Sequence, residues 1–431
     1  MDITGKKKGI FYGWWIVAAS FIIYMTVGGV SLYGFTAFFN PIVEAMGWTR
    51  TQVALAFSLR SIEGSVTQPF VGFFIDRFGA RKVILFGIFV MAAAFFLMSR
   101  ISSLLSFYVA FLLLAFGHGT GAGIGQYSVV ANWFKRRRSL ALGIVSSGYG
   151  PSGIIAPLLV YLIHTYGWRN SLFVLCPAIL VIGIPMALVI RNRPEPYGLL
   201  PDGDKPGDLP PEPARTANQG GHGSPRTAGG LSGEGLTVKE SLRGRSFWML
   251  VGFSIFTFFA RAAMTTFVMP VLISMGISEN MAALTVTGIT VISITGRMGF
   301  SWLGDIYDKR KLFVITTIMN AAGIFIFINI RFPWMIIPFL ALYAPSFGAT
   351  APLLPAIQAD CFGTRAFATL RGLMHMGAVI PGLAAPLLAG WVFDTQGTYY
   401  PAFLLYAIIC LIGIPFILLV RLPAKETKTR A

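Results

Sequence analysis

The chain has 431 residues, enough for two or three soluble domains, yet 55% are hydrophobic, only 12% are charged and the mean hydropathy is +0.70. That balance excludes a soluble enzyme or scaffold and places the chain among integral membrane proteins. A formal net charge of +17 would point to nucleic acid in a soluble protein, but no basic, aromatic-interleaved domain carries it, so the membrane accounts for the charge and no nucleic-acid partner is expected.

In chain order, Lys6, Lys7 and Lys8 precede an apolar run from Phe11 to about Phe39, much longer than the roughly 7 to 15 residues of a signal-peptide core. It reads as a first membrane helix. Only helices and closed barrels satisfy their backbone in lipid, and apolar runs of about 20 residues without strand alternation are helices. Twelve are predicted, near 12–37, 51–74, 83–100, 104–130, 139–163, 171–191, 246–274, 282–304, 312–331, 334–358, 366–391 and 400–421. The segment 76–82, Lys135 to Arg138 and Lys309 to Lys311 fall in alternate loops, on the side of the lysine-rich N-terminus and the C-terminal tail. The positive-inside rule then puts both termini in the cytoplasm of a multi-pass protein of the cell (inner) membrane.

Several side chains interrupt the apolar pattern. Arg60 and Glu63 lie three apart on one face of the second helix, Glu63 being the only carboxylate in any predicted helix interior. They are read either as a local ion pair or as a proton-coupling or gating pair, since desolvation raises a carboxylate's pKa. His118 sits among glycines in the fourth helix and reads as packed rather than as a relay. Tyr24, Tyr33, Gln126, Tyr127, Tyr149, Tyr343 and Phe347 are candidates for a pocket wall, with Tyr127 and Tyr149 favoured as donors to a carboxylate or hydroxyl. Cys176, Cys361 and Cys410 show no metal or disulfide spacing, so no metal and no cofactor are expected.

The segment 192–245 turns abruptly to glycine, proline and polar residues and is expected to be a disordered cytoplasmic linker. It divides an N-terminal six-helix bundle, 1–191, from a C-terminal one, 246–431. Thr237 and Glu240 have capping-box spacing, which predicts a short interfacial helix before Phe247. Beyond it stands Arg261, which pairs with Glu63 across the halves or makes a second substrate contact. The eighth helix carries Arg297, an intramembrane guanidinium costing about 2.5 to 3.5 kcal/mol that needs an anion, either a protein carboxylate or a substrate.

The two bundles repeat. Asp305 follows Asp76 by 305 − 76 = 229, and the same offset relates Arg81 to Arg310, Gly143 to Gly372, Gly148 to Gly377 and Pro157 to Pro386. The residue 229 before Arg297 is Gln68, and the residue 229 before His375 is Ser146. Parallel repeats place a substrate site near the midplane between the halves, which makes His375 a candidate contact. With no nucleophile–base pair, metal set or phosphate loop, an enzyme is not expected.

The stretch Gly72-Phe-Phe-Ile-Asp76-Arg77-Phe-Gly79-Ala-Arg81-Lys82 resembles the GxxxDRxGxRK motif of the major facilitator superfamily, with a worn second copy around Asp305 and Arg310. The resemblance implies the twelve-helix, all-α fold, and a role for Asp76 in capping a neighbouring helix to hold one state closed. Within that superfamily, Tyr12-Gly-Trp-Trp15, the run from Trp133 to Gly143 and Gly167-Trp168-Arg169 resemble the monocarboxylate porters and the oxalate/formate antiporters. The likeness implies that Arg297 binds the substrate carboxylate. Ser293 stands where animal porters carry an aspartate, the first helix has no lysine, and Ala378 aligns with the antiporters' helix-eleven lysine. A second fixed positive charge is therefore read as absent, which favours one negative charge per substrate. The expected function is proton-coupled symport of a lactate- or pyruvate-like monocarboxylate by a functional monomer in contact with lipid. Electroneutral anion exchange and a non-transporting receptor are the rivals.

Overall fold

The structure is a computed structural model that describes residues 11–33, 37–151, 155–204 and 235–422. No strand forms among these residues, and a single isolated bridge joins Gly235 to Gly363. In the N-terminal half, α1 (Tyr12–Gly28) runs on into a π-helical turn and is followed by α2 (Phe39–Met46), α3 (Arg50–Phe78) and α4 (Ala80–Ser99). Then come α5 (Leu104–Gly121), α6 (Ile124–Trp133), α7 (Arg138–Ser147) and α8 (Ile155–Val189). The C-terminal half contains α9 (Val238–Arg243), α10 (Arg245–Ser274), α11 (Glu279–Ile306) and α12 (Lys309–Ile328). It ends with α13 (Ile336–Phe362), α14 (Phe367–Met376), α15 (Val379–Gln396) and α16 (Tyr400–Leu418).

Each segment predicted to span the membrane falls on helix. Among the described residues ten helical stretches are long and apolar enough to cross a bilayer. That tally omits α3, which carries Arg60 and Glu63, and treats Leu158–Val189 as one stretch although Gly167, at φ +77°, breaks it. Three predicted helices prove to be interrupted rods: α5 and α6 part at Ala122–Gly123, α7 ends before Gly148, and α14 and α15 part at Gly377–Ala378. Glycine weakens helix continuity and Pro151 lacks the N–H needed to extend α7, so breaks fall at these points and leave main-chain polar groups in the middle of the fold.

The buried apolar residues form one large cluster centred on the N-terminal half, two in the C-terminal half and a small one, Ala131 with Ala359 and Phe367, that joins the halves. Between the halves, α3 crosses α14, and α7 crosses α11 and α13. The expectation of disorder from residue 192 is corrected by residues 192–204. Asp202 accepts the Lys135 and Arg136 N–H groups at 3.0 and 2.7 Å, Arg136 also pairs with Asp204, and Arg191 lies between the rings of Tyr12 and Tyr197. Local carboxylates and rings thus order a polar stretch whose composition suggests none; residues 205–234 lie outside the described residues. The helix expected before Phe247 is α9, where Thr237 and Glu240 cap each other's backbone N–H. Those bonds hold the Glu240 carboxyl below its usual range.

Candidate functional site

The halves are clasped by two repeat-related caps. Asp76 accepts the N–H groups of Ala368 (3.2 Å) and Thr369 (2.8 Å) and the Thr369 hydroxyl (2.7 Å) at the start of α14. Asp305 accepts those of Ser139 (2.8 Å) and Leu140 (2.9 Å) at the start of α7. Donors and acceptors share one offset, since 368 − 139 and 305 − 76 are both 229. Each carboxylate meets the orphan N–H groups and the positive end of a helix from the opposite half. Glycine lets the backbones come this close. A Cβ on Gly72 would lie 2.2 Å from the Ala368 carbonyl oxygen, and one on Gly372 would lie 2.4 Å from that of Gln68.

Asp360 adds an ion pair at the same end, with Arg138 at 3.0 Å across the halves and Lys309 at 2.7 Å. The loop 135–138, expected to serve topology and lipid contact, therefore also ties the halves together, because its last arginine points at a carboxylate on α13. The rest of the motif supports these ends. Arg77 lies over the rings of Phe73 and Phe78, and the Arg81 N–H donates to Asn192 Oδ1 at 2.9 Å beside Gly79 (φ +88°). Arg310 binds the Asp308 carboxylate and donates to the Val420 carbonyl at 3.1 Å.

Arg297 is buried on α11, whose packing against α13 is close at Gly296 and Gly348. Its Nη1 crosses to the other half and donates to the Ser146 carbonyl at 2.5 Å. Ser146 belongs to the last turn of α7, where carbonyls lack intrahelical partners and the helix dipole is negative. This answers the question left open by the sequence: Arg297 is met by the end of a broken helix and not by Glu63.

Neither expected ion pair of Glu63 forms. Its carboxylate accepts the Thr67 hydroxyl at 2.8 Å, one turn along α3, while Arg60 Nη1 donates to the Ser31 carbonyl at 2.7 Å. Arg261 lies over the Phe347 ring, 4.1 Å from its centroid. Each guanidinium thus meets a nearer carbonyl or ring in place of the Glu63 carboxylate.

The pocket-wall candidates divide. Tyr127 and Tyr149 are half-buried and pack on Tyr24 with ring centroids 5.7 and 4.7 Å away. The Tyr149 hydroxyl lies 3.5 Å from His118 Nε2. His375 keeps exposed surface and stands within electrostatic reach of Arg371 and Arg261. Two candidates are corrected. Gln126 is fully buried and splints the α5–α6 break, its amide donating to the Gly121 carbonyl at 2.6 Å and accepting the Gly123 N–H at 3.0 Å. Tyr343 is buried in the apolar core of the C-terminal half, stacked between Phe339 and Phe347. The side chain of Tyr33 lies outside the described residues.

Sequence reading missed Arg371. It stands one turn before His375 on α14 and reaches across the halves to within electrostatic range of the Tyr24 and Tyr127 hydroxyls. It is a further cation on the helix whose antiporter-lysine position is Ala378. The available signal was a charged residue inside the predicted helix 366–391, four positions before an already chosen histidine.

A family model described as Major Facilitator Superfamily matches residues 16–299 and 251–431. The chain is 26% identical to Monocarboxylate transporter 12-B of Danio rerio, over 93% of this chain and 86% of that protein. It is 29% identical to the Oxalate:formate antiporter of Oxalobacter formigenes over 34% of this chain and 35% of that protein. Among solved structures, the proton:xylose symporter XylE superposes with a TM-score of 0.70 at 13% identity, covering 95% of this chain and 96% of that one, which speaks to fold alone.

Proposed function

The chain belongs to the major facilitator superfamily and is a multi-pass membrane transporter of small organic substrates, related to the monocarboxylate transporters and not an enzyme; from that premise we propose that it moves small organic carboxylates, with lactate- and pyruvate-like monocarboxylates as the simplest, in symport with protons. The observation that carries this reading is Arg297, a buried guanidinium held between the halves on a main-chain carbonyl. A carbonyl oxygen bears only partial charge and occupies one edge of a planar fork. A carboxylate offers two full-strength acceptors to the same group, so it competes for the guanidinium and forms the bidentate charge-assisted pair.

Proton coupling follows from charge. Carrying a bare anion into a cell opposes the membrane potential by about 2.3 kcal/mol per 100 mV, and a proton moving with it cancels that cost. Glu63 is the group we assign to the proton, because it is held by a hydroxyl and not by a cation. Arg60 and Arg261 take gating roles, while His375, Tyr127 and Tyr149 line the path. The bundles 1–191 and 246–431 rock about this centre as a functional monomer in the cell membrane, with both termini in the cytoplasm.

The test is pH-gradient-driven uptake of labelled lactate and pyruvate into liposomes holding the purified protein. Accumulation that needs an inward proton gradient and disappears in Arg297→Ala supports the reading. If no carboxylate of two to five carbons is moved, or Arg297→Ala moves it unchanged, the proposal fails.

A further inference from the structure

A cleft of about 320 Å³ opens beside the Asp76 cap, at the end where the halves are clasped. The N-terminal half lines it with Asp76, Ser128, Asn192 and Arg193, and the C-terminal half with Thr364 and Arg365 from the turn before α14. Its walls are mostly donors. Asn192 Oδ1 takes the Arg81 N–H at 2.9 Å, which leaves the amide nitrogen as the end free to donate. Gly79 makes room for that amide, since a Cβ there would lie 2.3 Å from Asn192 Nδ2. Among the described residues, the Asn192 amide nitrogen, the Ser128 and Thr364 hydroxyls and both guanidiniums have no hydrogen-bond or ion-pair partner. The carboxylates nearby are committed elsewhere. Asp76 has both oxygens on the Ala368 and Thr369 donors. Glu195 is exposed and reaches Arg193 only through space, and Glu240, which takes the Thr237 N–H, reaches Arg365 in the same way.

Donors on several sides of one space, two of them guanidinium forks, suit an anion with several oxygens and more than one charge. A chloride or a carboxylate meets only part of such a set. A phosphate monoester presents three strong acceptor oxygens and a charge of about −1.5 to −2. Place agrees with chemistry, because this is the end that the basic loops assign to the cytoplasm, and basic pockets between helices on that side lie level with lipid phosphates.

We propose that this cleft binds a phosphate group, of a lipid headgroup or of a soluble phosphate compound, between Arg193 of one half and Arg365 of the other, and that the bound group holds this end shut. Opening the end carries Thr364 and Arg365, which lead into α14, away from Ser128 and Arg193. Only the closed form then offers both guanidiniums to one ligand, and a ligand that binds one form better shifts the population toward it. The site stands apart from Arg297 and serves whatever substrate is carried.

The experiment follows thermal unfolding of the full chain in detergent with added inorganic phosphate, at ionic strength matched with chloride, and separately with phosphatidic acid or phosphatidylcholine in the micelle. Wild type is compared with Arg193→Gln, Arg365→Gln and, as a control at the opposite end, Arg331→Gln. Inorganic phosphate or phosphatidic acid should raise the melting temperature of wild type and of Arg331→Gln. The half-saturating concentration should rise about tenfold or more in Arg193→Gln and in Arg365→Gln, the effect of deleting one charge-assisted contact. An effect of inorganic phosphate identifies a soluble source, and an effect of phosphatidic acid alone identifies the lipid headgroup. Labels on each half at this end, read by single-molecule distance measurement, should show the closed population growing with the same ligand. If Arg193→Gln does not fold, Arg365→Gln, whose side chain is exposed, decides. The inference is overturned if neither phosphate nor phosphatidic acid stabilises wild type beyond chloride and phosphatidylcholine, or if the folded site variants respond as wild type does. It is equally overturned if Arg331→Gln loses the response to the same extent, or if a ligand that binds leaves the distance unchanged.

Discussion

Arg297 and Ser146 meet at 2.5 Å across the two halves, guanidinium to main-chain carbonyl, at the point where α7 stops. Substrate and helix end therefore compete for one cation, and binding a carboxylate there loosens a tie between the halves. Arg297→Lys keeps the charge but loses the planar fork. We expect carboxylate uptake to fall about tenfold or more, since one charged hydrogen bond contributes about 1.5–3 kcal/mol. Uptake by Arg297→Lys within twofold of wild type contradicts this competition.

Removing either aspartate cap opens the end it closes. Asp76→Asn and Asp305→Asn each remove the negative charge facing a helix N-terminus, and loss of a cap costs about 1 kcal/mol. Labelling of a cysteine placed near Thr364 by a membrane-impermeant maleimide in inside-out vesicles should rise in both variants. Equal labelling in wild type and both variants would show that the caps do not hold this state.

Gly372→Ala should displace α14 from α3, because its Cβ would lie 2.4 Å from the Gln68 carbonyl oxygen. Gly390→Ala on α15 meets nothing within 4 Å and serves as the control. We expect the first variant to shift the resting population toward the form accessible at the Asp76 end and to slow uptake several-fold, while the second behaves as wild type. Doubly labelled halves read by single-molecule distance measurement check this directly.

Asp360 neutralises both Arg138 and Lys309. Asp360→Asn leaves two cations facing each other, and breaking a shielded pair by removing one partner is more harmful than removing the pair. The double change Arg138→Gln with Asp360→Asn should therefore lower thermal stability less than Asp360→Asn alone. A strictly additive result rules out the coupling.

Asp308 lies between α11 and α12, and the Arg310 side chain holds its carboxyl below the usual range. A folded-state pKa below the unfolded value stabilises above the unfolded pKa, and the contribution is lost as pH falls through the folded one. The difference in melting temperature between wild type and Asp308→Asn should thus be present at neutral pH and vanish in acid once the pH has fallen through the folded-state pKa, which lies below the ordinary aspartate value of about 3.9. A difference independent of pH assigns the effect to shape alone.

Much of this arrangement was legible in the residues. Apolar run lengths located the helices, and a constant offset of 229 paired Asp76 with Asp305 before any contact was known. Other features depend on geometry that spacing does not encode. Gln126 reads as a pocket amide until the chain breaks at Ala122–Gly123 and supplies a nearer carbonyl. Glu63 and Arg60 share a face, but a π-helical turn brings the Ser31 carbonyl closer to the guanidinium. Arg371 was hidden for the opposite reason, since the hydroxyls within its electrostatic reach come from α1 and α6, far away in sequence.

The two aspartate caps are copies of one another, Asp76 holding the start of α14 and Asp305 the start of α7, each through two main-chain N–H groups. A body pinned to its neighbour at two separate points cannot turn about either one while both hold, so opening this end requires the two carboxylates to let go together.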